Sequence, residues 1–130
     1  MGELKHLGKP SSQPIDKVDL IEYAGETITV RLECAEFTSL CPVTKQPDFG
    51  TLTIEYVPDR HLVETKSLKL YLWRFRNEPS FNENLIDRIA DDLYQQMCPR
   101  WLRVTGAFNP RGGIRITASA ERGDKECRPS

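Results

Sequence analysis

The sequence predicts an α+β domain, in which an antiparallel sheet carries two helices on one face. Residues 27–33 and 51–57 alternate apolar and polar side chains and are rich in β-branched residues, which is typical of half-buried strands. Residues 80–97 repeat leucine or isoleucine at intervals of four, which indicates an amphipathic helix. The stretch NPRGG separates two further strand-like segments and indicates a hairpin. The predicted order is β-β-α-α-β-β.

A first helix is predicted between the second strand and the long helix. Pro58 and Asp59 end the strand, and residues 61–76 then change to a helical period, although the pattern does not fix the first turn. The apolar stripe of this helix consists of Leu62, Leu68, Leu72 and Phe75.

The second helix has recognisable ends. Ser80 and Glu83 fit a capping box at its start, and Pro99 ends it. The last two strands are predicted at residues 101–108 and 113–120, on either side of NPRGG.

The chain of 130 residues has the length of a single domain. Residues 1–19 are polar and contain glycine and proline, which predicts an N-terminal arm. Residues 20–122 are expected to form the single folded domain, and residues 123–130 a polar tail.

Charge and composition disfavour several classes of function. The 18 lysines and arginines balance 19 aspartates and glutamates, so there is no general attraction to nucleic acid or to an anionic membrane. No apolar run is long enough to span a bilayer, and the first residues lack the apolar segment of a signal peptide. We therefore expect a cytoplasmic protein with no membrane partner and no direct contact with nucleic acid.

The cysteines predict reduced thiols and no metal site. The four are widely spaced without a CxxC pair, and neither His6 nor His61 has the spacing of a zinc ligand. Cys41 differs from the others because the prolines and threonines around it indicate a loop. It is either an inert loop thiol or a nucleophile held on a rigid turn. Asp48, seven residues later, is by itself either a turn residue or the entry residue of the next strand.

Five short motifs, EFTSLCP, QPDFG, ETKSLKLYL, FRN and NPRGG, lie at close spacing along the chain. Together they resemble the 7-cyano-7-deazaguanine reductases, the nitrile reductases of queuosine biosynthesis, in their short single-module form. The resemblance covers residues 22–120, and ETKSLKLY is its most specific part. Thr65 fills a position that is usually Ser or Leu in the family. The family motif Phe-His-Glu reads Phe81-Asn82-Glu83 here, so the histidine is absent.

The resemblance implies the tunnelling fold, in which small subunits join their sheets around a pore. It also implies a homo-oligomer with active sites between subunits. In the family reaction, Cys41 would add to the nitrile carbon and form a covalent thioimide, which accepts hydride more readily than the nitrile. Asp48 would take the thiol proton and deliver it to the nitrile nitrogen.

The resemblance also implies the binding residues for the small-molecule substrate, a deazaguanine nitrile. The Glu83 carboxylate would accept hydrogen bonds from the N–H edge of the base, although a capping box with Ser80 competes for the same side chain. Asn82 would face the same pocket. The other base-binding stretch would be Val63, Glu64 and Thr65.

The cofactor implied by the resemblance is NADPH. Lys66, Lys69 and Arg111 would hold it, because cationic side chains are the usual partners of its 2′-phosphate. The sequence contains no GxGxxG motif, so a Rossmann-type site is not expected.

Two other functions stay open at this point. An amidinotransferase-type relative would form the same thioimide on a nitrile-bearing tRNA base and add ammonia, and it would not need the cofactor motif. A binding module of the same fold without catalysis is favoured by one feature, the absence of a histidine at position 82.

Overall fold

The computed structural model describes residues 4–5 and 13–130, which form two antiparallel sheets and two α-helices. The predicted α+β fold with two helices on an antiparallel sheet is confirmed, but two short strands precede the helices in addition to those predicted. The strands are β1 (Leu20–Glu22), β2 (Val30–Leu40), β3 (Pro47–Val57), β4 (His61–Val63), β5 (Trp101–Phe108) and β6 (Thr117–Gly123), and the helices are α1 (Thr65–Trp73) and α2 (Asn82–Met97). Short 3₁₀ turns follow at Arg74–Arg76 and Lys125–Cys127.

The core lies between the larger sheet and the two helices. This sheet has the strand order β2-β3-β5-β6, while β1 pairs with β4. Alternate side chains of β3 and β5, such as Leu52 and Val104, are buried in one cluster with the predicted apolar stripe of α2. Burying one such side chain stabilises the fold by about 1.5–3 kcal/mol, so this packing fixes the helices on the sheet.

A β-bulge in β2 changes which of its side chains face the core. The register with β3 shifts between Cys34 and Phe37, so that two residues of β2 lie opposite one residue of β3. In the part of β2 before the bulge, the even-numbered residues pack on the core. In the part after the bulge, the odd-numbered residues Phe37 and Ser39 are buried instead. The strand predicted at residues 27–33 is wrong in its bounds: β2 begins at Val30, and it continues to Leu40 because pairing with β3 resumes beyond the bulge that interrupts the alternation.

The first helix is shorter than the predicted range of residues 61–76. His61–Val63 forms β4 instead, which pairs with β1, so Leu62 belongs to a strand. The other three side chains of the predicted stripe, at positions 68, 72 and 75, are buried. Local periodicity missed β4 because its partner strand lies some forty residues earlier in the chain.

The remaining strands differ from the prediction mainly at their ends. β5 has the predicted bounds, but β3 begins at Pro47, so Asp48 lies within a strand rather than before it. β6 begins at Thr117 rather than at residue 113, because residues 109–116 form the hairpin connection.

The predicted capping box at the start of α2 is wrong. Phe81 is the N-cap residue and makes no side-chain cap hydrogen bond, while Ser80 Oγ donates to the Phe81 carbonyl at 3.2 Å. Glu83 is exposed in the first helical turn. Capping therefore does not compete for its carboxylate.

Part of the predicted N-terminal arm, residues 1–3 and 6–12, lies outside the described residues. In the described part, Val18 is buried, and its backbone N–H donates to Gln96 Oε1 at 2.8 Å. The N–H of Asp19 donates to Ser67 Oγ at 2.8 Å. These two bonds attach the segment to both helices. The division of the chain at residues 19 and 122 stays a prediction.

Candidate active site

A tight turn holds Cys41 directly after the end of β2. The Cys41 N–H donates to the Gln46 carbonyl, and the Lys45 N–H donates to the Cys41 carbonyl, each at 3.0 Å. Lys45 adopts a left-handed conformation with φ of 59° to close the turn. The thiol therefore sits on a short, hydrogen-bonded connection between two long strands.

This turn also stabilises the thiolate of Cys41. Hydrogen bonds from the Thr44 side chain and from the backbone N–H groups of Thr44 and Val43 lower the pKa of Cys41 below its ordinary value. Partial burial and the negative charge of Asp48 act in the opposite direction and are the smaller effects. A larger thiolate fraction makes a cysteine a better nucleophile at neutral pH.

Asp48 lies on the side of the sheet that faces the helices. It pairs with Ser39 across β2 and β3, and Gly50 and Leu52, which follow it at alternate positions, are buried. Because strand side chains alternate, Ser39, Asp48 and the residue after Leu40 are directed to the same side. The sheet thus brings the Asp48 carboxylate and the Cys41 thiol into one region.

Arg111 completes this cluster. Its Nη1 lies 2.7 Å from Asp48 Oδ1, and the side chains of Asp48 and Arg111 are 11% and 49% exposed. The bond to Asp48 raises the pKa of Arg111, to which the neighbouring Cys41 also contributes. A carboxylate beside a thiol is suited to proton transfer, and the hydrogen bond from the guanidinium holds this carboxylate in place.

The hairpin between β5 and β6 places Arg111. Gly112 and Gly113 have φ of 60° and 81°, values that side-chain-bearing residues rarely adopt. Their turn is closed by hydrogen bonds between Arg111 and Ile114 in both directions. A second bond, from the Asn109 N–H to the Phe49 carbonyl at 2.7 Å, attaches the hairpin beside Asp48.

The first turn of α2 approaches the same region. Ser39 Oγ donates to Asn82 Oδ1 at 3.1 Å, and both side chains are buried. Glu83 follows at the N-terminal end of the helix, where the helix dipole favours a negative charge. Its exposed carboxylate is available to hydrogen-bond donors from a ligand.

The stretch Val63–Thr65 lies elsewhere in the subunit. The Val63 N–H donates to the Tyr56 hydroxyl at 3.2 Å, and Tyr56 is eight positions along β3 from Asp48, or about 26 Å at 3.3 Å per residue. Glu64 is 3% exposed, and its carboxylate caps α1 by accepting from the N–H groups of Lys66 and Ser67 at 2.7 and 2.8 Å. In one subunit the Val63 end of this stretch is therefore far from Asp48, whereas Thr65 lines the groove described next.

A groove runs between α1 and β2. Its volume is about 860 Å³, and the cationic residues Lys66, Lys69 and Arg76 line it together with apolar side chains of both elements. The structure therefore places the two lysines in one groove and Arg111 in the Cys41 cluster. The sequence prediction had grouped all three.

Sequence reasoning missed Ser39 as a member of the candidate site. It lies two residues before Cys41 and contacts Asn82, but its position on the inner face follows from the bulge in β2. Among the described residues, no group of three or more His, Cys, Asp and Glu side chains could hold a metal ion. No helix in the described ranges is long and apolar enough to cross a membrane.

Comparison with known protein families identifies the relatives of this chain. The model of the QueF-like protein family matches residues 47–127. The chain belongs to this family. The match includes Asp48, both helices and the Arg111 hairpin, while Cys41 precedes it by six residues.

Curated relatives of this family extend the similarity. The NADPH-dependent 7-cyano-7-deazaguanine reductase of Anaeromyxobacter sp. (strain K) is 50% identical over 101 residues, which cover 78% of this chain and 83% of that protein. The protein of the same name from Halorhodospira halophila is 53% identical, over 72% of this chain and 79% of its own length. That from Exiguobacterium sibiricum is 59% identical, over 67% of this chain and 54% of its own length.

A solved structure supports the fold of the QueF-like chain. The archaeosine synthase QueF-Like in its apo form superposes with a TM-score of 0.69, over 74% of this chain and 94% of that one. The sequence identity is 23%, so this similarity establishes the shared fold alone. It agrees with the antiparallel sheet and two helices described above.

Proposed function

We propose that the protein reduces the nitrile of 7-cyano-7-deazaguanine to 7-aminomethyl-7-deazaguanine with NADPH, as a cytoplasmic enzyme of queuosine biosynthesis. The observation that carries this proposal is the cluster of Cys41, Asp48 and Arg111 at the end of β2. It provides a thiol with a lowered pKa beside a carboxylate. Relatives that are 50–59% identical bear the name of this reductase, which supports the assignment.

The chemistry of Cys41 begins with its thiolate. The sulfur adds to the nitrile carbon, Asp48 transfers the thiol proton to the nitrile nitrogen, and a thioimide bound to Cys41 results. NADPH, held by Lys66, Lys69 and Arg111, would supply two hydrides, one to the thioimide carbon and one to the imine carbon after the Cys41 sulfur leaves as a thiolate. One further proton would complete the neutral amine, and another would return the thiolate to the thiol.

The residues of the α1 groove fit a phosphate-bearing dinucleotide. Lys66 and Lys69 offer positive charge for phosphate groups, and the apolar lining suits the flat faces of the adenine and nicotinamide rings. Arg111 lies in the Cys41 cluster rather than in this groove, and its side chain is half exposed, so a phosphate group could approach it there. We assign all three to cofactor binding on these grounds.

Recognition of the base is assigned to Glu83. A carboxylate accepts two parallel hydrogen bonds and matches the adjacent N–H donors on the edge of a guanine-like ring. The exposed position of Glu83 at the helix N-terminus and its freedom from a capping role support this assignment. Asn82 would supply the polar contacts beside it.

Two subunits would complete each active site. We assign substrate binding to Val63, Glu64 and Thr65 together with Glu83. However, the Val63 N–H is hydrogen-bonded to Tyr56, which lies about 26 Å along β3 from Asp48. A neighbouring copy would bring the two sets together. Large apolar side chains exposed near the Cys41 turn and the hairpin, those of Val43, Phe49 and Ile114, support a homo-oligomer that covers them.

Mixing two inactive variants tests the shared site. Cys41→Ala removes the nucleophile, and Glu64→Gln removes a charge while one oxygen stays available to cap α1. If each site takes Cys41 from one subunit and Glu64 from the next, co-expression will restore activity in roughly a quarter of the sites. Activity no greater than that of either variant alone would mean that each subunit holds a complete site.

The reaction itself is tested by NADPH oxidation with and without the nitrile. We expect two NADPH consumed per amine, and a covalent adduct of one nitrile per subunit in intact-mass spectra without cofactor. Cys41→Ala should abolish both, and Cys98→Ala, a change at an exposed thiol, is the matched control. Ammonia incorporation instead of reduction would indicate an amidinotransferase. Binding without either reaction would indicate a binding module.

A further inference from the structure

A buried hydrogen bond joins the end of β2 to the first turn of α2. Ser39 Oγ donates to Asn82 Oδ1 at 3.1 Å across 43 positions of sequence. Ser39 is 0% exposed and Asn82 is 9% exposed. Losing one partner of such a bond is costly because water cannot easily replace it.

Backbone contacts connect the same two elements. The Ser80 N–H donates to the Leu40 carbonyl at 3.0 Å, and Leu40 forms a parallel bridge with Pro79. Leu40 immediately precedes Cys41, and Ser80 lies two residues before Asn82. The strand end that carries the thiol is therefore fixed to the helix turn that carries Asn82 and Glu83.

The hydrogen bond with Ser39 also sets the orientation of the Asn82 amide. With Oδ1 turned toward the serine, the planar amide directs Nδ2 to the other side. Within the described residues Nδ2 has no hydrogen-bond partner, and no buried side-chain nitrogen or oxygen is left without one. The Nδ2 group therefore reaches solvent and offers two N–H donors there.

We propose that Ser39 is a positioning residue, whose hydroxyl holds the Asn82 amide so that its N–H donors face a hydrogen-bond acceptor of the bound nitrile substrate. The ring carbonyl of the deazaguanine is an acceptor of the required kind. The inference rests on the proposed function and gives a role to a residue outside the nucleophile, the base and the binding stretches. Without the Ser39 hydroxyl, the Asn82 amide would rotate, so that its N–H donors and its carbonyl oxygen would face the substrate in turn.

A double-mutant cycle tests this role. All variants carry Cys41→Ala, so that calorimetry measures non-covalent binding of the nitrile. We expect Ser39→Ala to raise Kd about 10-fold, which corresponds to 1.4 kcal/mol. In an Asn82→Ala background, Ser39→Ala should leave Kd unchanged, because the group it positions is gone. Ser119→Ala, which removes a hydroxyl paired with Thr105 Oγ1 at 3.0 Å on β6, should leave Kd unchanged in both backgrounds.

A second measurement needs no ligand. Ser39→Ala should move the side-chain amide resonances of Asn82 in ¹⁵N-labelled protein, and unchanged resonances would overturn the positioning contact. If Ser39→Ala raises Kd by the same factor in the Asn82→Ala background, Ser39 acts through packing rather than through the Asn82 amide, and the proposal is overturned. If Ser39→Ala shifts the Asn82 amide resonances but the nitrile does not bind to the Cys41→Ala protein, the proposed function is wrong. The hydrogen bond between Ser39 and Asn82 would still be confirmed.

Discussion

Arg111 Nη1 lies 2.7 Å from Asp48 Oδ1, although the two residues are 63 positions apart in sequence. The sequence prediction had assigned Asp48 to proton transfer and Arg111 to the cofactor. Their contact connects the two assignments, because a phosphate group that attracts Arg111 would change the charge environment of Asp48. Cofactor binding and proton transfer are therefore expected to influence each other.

Thr44→Val should shift the reactivity of Cys41 to higher pH. The Thr44 hydroxyl is the largest contributor to the lowered pKa of Cys41, since it donates to the thiolate. Valine keeps the side-chain shape and removes the donor, so the pKa should rise toward its ordinary value. The rate of Cys41 alkylation measured against pH checks this. Thr38→Val is the control, and an identical profile for Thr44→Val would exclude the hydroxyl as a cause.

Asp48→Asn should leave binding of the nitrile nearly unchanged and slow formation of the thioimide. The amide keeps the shape of the carboxylate but cannot take the thiol proton, a function that typically contributes about 10²–10⁴-fold. Single-turnover mass spectrometry without cofactor measures the rate. A wild-type rate in Asp48→Asn would remove this residue from the mechanism.

Lys66→Ala and Arg111→Ala should each raise the KM for NADPH more than that for NADH, because the lost charge meets the 2′-phosphate. Only Arg111→Ala should also slow thioimide formation in the absence of cofactor, since only Arg111 contacts Asp48. Steady-state kinetics with both cofactors and single-turnover rates separate the two effects. Equal changes for NADPH and NADH would assign these side chains to the shared part of the cofactor or to structure.

Glu64→Ala and Glu83→Ala should differ in their effect on stability. Glu64 caps α1, so its loss should cost about 1 kcal/mol, or about 4 °C in Tm. Glu83 is exposed and does not cap α2, so its loss should leave Tm nearly unchanged and weaken nitrile binding. Calorimetry of unfolding and of binding measures both. A large drop in Tm for Glu83→Ala would indicate a structural role.

Asn82→His should raise kcat by about 10-fold, equivalent to 1.4 kcal/mol of barrier. An imidazole can supply protons to the imine and amine near neutral pH, which an amide cannot do, while one ring nitrogen can still accept from Ser39. The pH profile of kcat should gain a new step near the histidine pKa of about 6.5. Unchanged or lower kcat with an unchanged profile would mean that the pocket is built for asparagine.

The sequence by itself determined the features that depend on neighbouring residues. The α2 stripe at positions 85, 89 and 93, the bounds of β5 and the loop around Cys41 all follow from local periodicity or turn composition, and all are observed. The motif resemblance likewise identified the family, because motifs are read along the chain. The stripe, the strand and the loop each span fewer than twenty residues, and each family motif is at most nine residues long.

Only the tertiary structure decided the contacts between distant segments. The bulge in β2 reverses the alternation of its side chains and directs Ser39 inward, which no local pattern indicates. β4 forms because β1 is available as its partner, and the capping box at Ser80 gives way because the Ser80 N–H is bonded to the Leu40 carbonyl. The Ser39–Asn82 and Asp48–Arg111 contacts depend on strand register and helix packing, which are set by burial across the whole sheet rather than by the residues next to each side chain.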